Sequence, residues 1–396
     1  MSNKINNSDS PGKPPFWNDP AVRSIFFQTL LLIGVFGFLY YIASNTLDNM
    51  AKRGISTGFA FLDYKAGFGI LMSLIDFTES DSYGKTFFVG LLNTLLVSGI
   101  GIVFATIMGF IIGVTRLSKN WLLARIAAVY IETFRNIPLL LQILFWYFAV
   151  LRSLPSPRQS WSFFDSFFLN VRGLYIPKPV FESGFSLTLI FLAIGIIGAI
   201  FVKKWARKRL DATGQPFPVF YTSLGLILGL PVLAFLVTGA PLTWEMPALT
   251  GFNFTGGLPI IPELMALGLS LTIYTAAFIA EIVRAGILSV SHGQTEAAHA
   301  LGLKTGPTLQ LVIIPQALRV IIPPLTSQYL NLTKNSSLAT AVGYPDLVAV
   351  WAGTTLNQTG QAVEIILTTM AVYLTISLSI SFVMNIYNKR VALIER

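Results

Sequence analysis

Residues 291–315 read SHGQTEAAHALGLKTGPTLQLVIIP, a polar interval set between two long apolar runs. Ser291, followed three positions later by Gln294, makes a capping-box start. Glu296-Ala297-Ala298 favours helix, and Gly302 stands where a left-handed carboxy-terminal cap belongs. The spacing predicts a short helix lying across a membrane face. Thr305-Gly306-Pro307 then turns the chain, and the apolar run that follows carries it back into the bilayer.

Composition explains why a bilayer is needed. Of 396 residues, 54% are hydrophobic and 11% charged, and the mean hydropathy is +0.68. No soluble globule has that balance, so the chain is a polytopic membrane protein. The absence of cysteine excludes a disulfide framework and a thiolate metal site. The only two histidines, His292 and His299, both fall in the quoted interval. A net charge of +9 does not point to nucleic acid, because the basic residues cluster beside apolar runs as topology determinants do. No G-x-x-x-x-G-K-(S/T) phosphate cradle and no Ser/His/Asp or metal constellation is present, so the residues point away from an enzyme.

Working outward from the interval, eight apolar spans are expected in an all-α membrane protein. After a Pro-rich tail, span one runs from Ser24 to Ala43, and a polar external loop follows to Lys85. Span two, Phe87 to Thr115, carries Ala105, Gly109 and Gly113 at every fourth residue, a face suited to close helix approach. Span three is Glu132 to Leu151. Its entrance pairs Glu132 with Arg135 three residues on, which reads first as an interface clamp. Residues 152–183 are external, with four prolines and several aromatics that suit the interface. Span four, Phe185 to Val202, ends in Lys203-Lys204-Trp205-Ala206-Arg207-Lys208-Arg209, which places that end in the cytoplasm.

Span five, Tyr221 to Thr238, has Gly225 and Gly229 at packing spacing and Pro231 able to kink it. Residues 239–262 lack Lys and Arg and are external. Span six, Glu263 to Ile282, repeats the clamp with Glu281 and Arg284 at its exit. Span seven starts near Leu309 and holds Pro315, Pro323 and Pro324, which predicts a kinked or broken helix facing a pathway rather than lipid. The last span, Val363 to Tyr387, ends at Lys389-Arg390, so both termini are expected in the cytoplasm. No span from two to eight has an acidic residue deep in its apolar run.

The central interval resembles the EAA motif of bacterial ABC-importer permeases: Glu296-Ala297-Ala298, Gly302, then Val312-Ile313-Ile314-Pro315, with Val and Ile where the family pattern has Ile and Leu. Two further phrases resemble the polar amino-acid permease subfamily. One is Glu-Thr-Phe-Arg-x-x-Pro-Leu-Leu-x-Gln from Glu132 to Gln142; the other is Lys334-Asn335-Ser336-Ser337-Leu338. The resemblance implies a type I importer core made of spans two, three, six, seven and eight. Span one and the pair at 185–238 are then additions. Residues 1–23 and 391–396 would be cytoplasmic tails, and residues 24–86 the first span with its loop. Residues 87–152 and 262–390 would form the core, and residues 153–261 the external segment with the inserted pair. Chain length with such an insertion is similar to the larger permease of general L-amino-acid (Aap/Bzt-type) importers.

In that family the short helix docks on a separate ATPase, so Glu296, Ala297, Ala298, Gly302 and Pro315 become coupling candidates. Lys334 would meet a substrate carboxylate, with Asn335, Ser336, Ser337 and Gln142 as hydrogen-bonding candidates along the path. Equally, Lys334 can snorkel at the interface while the polar run caps the helix. Asn335 stands where many relatives carry an acid, so a preference for cationic substrates is not expected. The resemblance also implies ATP and Mg on the partner subunit, with no cofactor on this chain. A second homologous permease, a periplasmic amino-acid-binding protein, an L-amino-acid substrate and the bacterial inner membrane complete the expected setting. An ion-coupled secondary amino-acid transporter is the competing expectation. It would require inverted repeats and buried acids.

Overall fold

A computed structural model describes Trp17, residues 19–52, Gly54 and residues 57–391. Most of the amino-terminal tail and the last five residues lie outside the described residues. Among those described, seven helices are long and apolar enough to cross a membrane, or eight if one bent pair counts as a span. The spanning helices are α1 (Pro20–Lys52), α2 (Tyr83–Arg116), α5 (Phe185–Thr213), α6 (Val219–Val237), α7 (Pro262–Leu288), α9 (Thr305–Val342) and α11 (Ala362–Val391). The bent pair is α3 (Trp121–Asn136) with α4 (Leu139–Ser153), and α8 (His292–Ala300) is the short helix of the central interval.

Lipid supplies no hydrophobic force between helices, so close approach of small residues holds the bundle. On α2, Ala105 is fully buried, and a Cβ placed on Gly113 would stand 2.7 Å from the carbonyl oxygen of Ala280 on α7. Further along the same helix, a Cβ on Gly101 would meet the Leu332 side chain of α9 at 3.1 Å. Gly286 of α7 receives Ile321 of α9. These contacts seat α7 between α2 and α9, with Leu267, Leu271, Ile279, Ile322 and Leu332 fully buried among them.

Span three is not one straight helix. Ile137 precedes Pro138 and is driven to an extended conformation (φ −99°, ψ 127°), so α3 ends there and α4 leaves at 105°. By contrast, α9 does not break. Its backbone widens into a π turn at Leu309–Ile313, which contains the carbonyl of Leu311 that the Pro315 ring would otherwise strike. The same solution recurs in α6, where a π turn at Gly225–Gly229 precedes Pro231. A Cβ placed on Gly225 or Gly229 would meet nothing within 4 Å, and the close contact between α5 and α6 is made from the other side, by Gly195 against Leu226.

The two segments expected to be external contain eight short strands. β1 (Trp161–Phe163), β2 (Phe167–Asn170) and β3 (Gly173–Ile176) form an antiparallel sheet that β8 (Leu258–Ile260) completes against β3. β4 (Lys178–Phe181) pairs with β5 (Leu242–Glu245), and β6 (Ala248–Thr250) with β7 (Asn253–Thr255). Nearer the amino terminus, Phe61 and Phe87 hold Trp351 at centroid distances of 5.7 and 5.2 Å. Trp351 belongs to α10 (Val348–Thr355), a π-wound segment between α9 and α11.

Candidate functional site

The first part of the site is α8 and its cap. Gly302 adopts φ +78°; its N–H donates to the His299 carbonyl at 2.9 Å, and that of Leu303 to the Ala298 carbonyl at 3.1 Å. That pair of bonds is the Schellman ending, which requires a left-handed residue. Ala298 is buried beneath the helix, whereas Glu296 and Ala297 face outward and Leu301 is 83% exposed. The capping box is not made. Ser291 enters in an extended conformation without a side-chain bond to the helix, and Gln294 instead accepts from Gln316 of α9 at 3.1 Å. Glu296 bonds His292 one turn earlier at 3.0 Å. Pro315 lies just beyond the π turn of α9, not on α8.

Of the two expected clamps, one forms. Arg284 donates two bonds to Glu281, at 2.6 and 3.0 Å. Glu132 and Arg135 do not pair: the Arg135 guanidinium lies over the Phe278 ring of α7 at 5.2 Å. The bend at Pro138 ends α3 at Asn136, whose side chain donates to the Glu132 carbonyl at 2.6 Å.

The second part is a polar cavity of about 250 Å³ between α7 and α9. Tyr274, Thr275 and Phe278 supply one wall, Gln328, Asn331 and Asn335 the other, and no lining side chain is charged. Two hydroxyls brace these walls. Tyr130 of α3 donates to the Ile273 carbonyl at 2.7 Å, and Tyr329 bonds Thr106 of α2 at 2.8 Å. Amides offer donors and acceptors together, so the cavity can hold a polar guest without selecting the sign of its charge.

Asn335 lines the cavity, but its expected companions do not. Lys334 is exposed on the neighbouring face of the helix. The Ser336 and Ser337 hydroxyls each donate at 2.7 Å to backbone carbonyls, of Thr333 and Lys334. Gln142 stands elsewhere: its Nε2 donates to the carbonyls of Phe134 (3.1 Å) and Ile137 (3.0 Å), groups that the end of α3 leaves free. Its Oε1 is buried with no partner among the described residues. Gln328, Asn331 and Asn335 form an i, i+3, i+7 polar stripe in an apolar run, a signal that sequence reasoning passed over. Also passed over was a buried acid: Asp346, between α9 and α11, is fully buried and accepts from the Ala349 N–H at 2.8 Å at the start of α10.

A family model described as the inner membrane component of binding-protein-dependent transport systems matches residues 101–393. Among curated relatives, the chain is 57% identical to the putative amino-acid ABC transporter permease protein YhdX of Escherichia coli, over 96% of each chain. It is 53% identical to the general L-amino acid transport system permease protein AapQ of Rhizobium johnstonii, over 96% of this chain and 94% of that one. Identity is 45% to the glutamate/glutamine/aspartate/asparagine transport system permease protein BztB of Rhodobacter capsulatus, over 96% of each.

Proposed function

Because the chain belongs to the family of binding-protein-dependent transport system inner membrane components, the permeases of ABC importers, we propose that its cargo is an L-amino acid of broad side-chain type. It is a multi-pass membrane permease, and membership of that family sets aside the ion-coupled alternative. The observation that supports the coupled-transport part of this reading is connectivity. Both walls of the uncharged cavity belong to the two helices, α7 and α9, that α8 joins.

A force on α8 therefore acts on both walls. In this reading ATP and Mg are bound by separate subunits, which grip α8 through Glu296, Ala297 and Leu301. Closure of those subunits moves α7 against α9, exposing the cavity alternately to each side. Gly302 holds the lever in shape, and Pro315 follows the π turn where α9 begins. A second, homologous permease supplies the facing half of the path, and a periplasmic binding protein delivers substrate. This chain itself binds no cofactor. The basic residues Arg116, Lys119 and Arg125, and the run at 203–209, favour a cytoplasmic side for these turns, and in this reading α8 and both termini lie on that side of a bacterial inner membrane.

Uptake by vesicles holding the whole assembly, competed in turn by acidic, basic, amide and apolar amino acids, tests the reading. Competition by several of these classes supports it; uptake of no amino acid, or of a single class only, counts against it.

A further inference from the structure

The cytoplasmic end of the inserted hairpin carries charge to which the importer reading gives no role beyond orienting the chain. α5 has 29 residues, a length of about 43 Å, against roughly 30 Å of hydrocarbon, so its last turns emerge from the apolar layer. Those turns hold Lys203, Lys204, Arg207 and Lys208, all exposed. None of the four has an ion-pair or hydrogen-bond partner among the described residues. At 100° per residue they share an arc of about 140°, with Asp211 as the single acid inside it.

The opposite side of the same turns is occupied. Ala206 is buried, and the Arg209 guanidinium lies 5.4 Å from the Trp205 ring and 6.0 Å from that of Phe217. Trp205 and Phe217 meet edge to face at 5.1 Å, and Arg209 donates to Gln215 at 3.4 Å. This folds the 214–218 turn back on α5 and holds the four free cations outward. Nearly all packing of α5 is against α6, so among the described residues no other part of the chain covers that arc.

We propose that Lys203, Lys204, Arg207 and Lys208 form a binding surface for anionic phospholipid headgroups, which anchors the α5–α6 hairpin at the membrane surface. Position argues for lipid over protein. The apolar run ends at Val202, so Lys203 and Lys204 stand in the layer of phosphates that the helix has to cross. Trp205, half exposed, sits at the level where indoles collect. Clustered cations beside a span attract acidic headgroups, by about fivefold in local concentration per Lys or Arg. The inference does not depend on which substrate the protein carries.

The sequence has no cysteine, so Ala212→Cys in the full-length chain gives a single site for a fluorescent donor beside the arc. In nanodiscs of phosphatidylcholine with roughly a tenth phosphatidylglycerol, energy transfer to a headgroup acceptor on either lipid reads the local lipid ratio. Enrichment of phosphatidylglycerol of about tenfold or more is expected, declining toward none as salt rises to about 0.5 M. K203Q/K204Q/R207Q/K208Q should abolish the enrichment, whereas Arg209→Gln, on the occupied side, should preserve it. Absence of enrichment in the parent chain, or enrichment unmoved by salt, overturns the proposal. So does equal loss from Arg209→Gln. Should the fourfold variant fail to insert, the salt titration of the parent still decides. If that variant instead loses its ATPase subunit with the lipid ratio unchanged, the cations belong to a protein contact and the proposal fails.

Discussion

Gly109 of α2 lies so close to Ile279 of α7 that a Cβ at position 109 would stand 2.6 Å from the Ile279 Cβ. The atom at risk belongs to the stem of a β-branched side chain, which cannot swing aside. Replacing Gly109 by Ala should therefore force the two helices apart, at a cost of about 1–3 kcal/mol. Gly99, ten residues earlier on the same helix, has nothing within 4 Å of its ideal Cβ. Gly99→Ala should be neutral or stabilising by about 0.5–1 kcal/mol through helix propensity. Thermal unfolding of the detergent-solubilised protein checks both, and similar melting temperatures for the two variants would contradict the packing account.

That contact was legible in the sequence, whereas the one between α5 and α6 was misread, and the difference is instructive. Ala105, Gly109 and Gly113 mark a small face, but such a face says nothing about which of two helices supplies the gap. In the inserted pair it is Gly195, while a Cβ on Gly225 or Gly229 would meet nothing within 4 Å. Gly302 could be read because its left-handed backbone is a local requirement. The Arg135–Phe278 contact could not, since it depends on where Pro138 sends the chain. The β3–β8 pairing joins residues on either side of an inserted helical hairpin, and strands of four and three residues leave no periodicity to read.

At Gly302 the left-handed φ of +78° grades substitutions by backbone cost rather than by volume, because nothing lies within 4 Å of its ideal Cβ. Asn tolerates this region, Ala pays about 1 kcal/mol and a β-branched residue more. Stimulation of ATPase activity by substrate should therefore fall in the order Gly302→Asn, Gly302→Ala, Gly302→Val, with the last retaining the least. A volume-ordered loss, with Asn worse than Ala, would show that the site senses size and not conformation.

Asn331 and Asn335 line the cavity and Lys334 does not. Asn331→Leu removes a donor and an acceptor and should lower uptake of amide and charged amino acids by at least about tenfold, the scale of one or two lost hydrogen bonds. Lys334→Ala should change uptake by less than about threefold, since an exposed cation contributes little. Initial uptake rates in vesicles with matched amounts of assembled complex measure both. The reverse ranking would return Lys334 to the path and remove the cavity from it.

Gln142 ties the bend between α3 and α4 by donating to two carbonyls at once, at 3.1 and 3.0 Å. Gln142→Leu strips both acceptors of their donor and should cost about 1–3 kcal/mol for each group that water does not reach. Gln142→Glu distinguishes lost hydrogen bonding from lost shape: it keeps the length of the side chain but points an acceptor-only carboxylate at two carbonyl oxygens, and should cost at least as much as Gln142→Leu. Melting temperatures of both variants equal to the parent's would mean that the side chain is hydrated and that the bend is held by Pro138 alone.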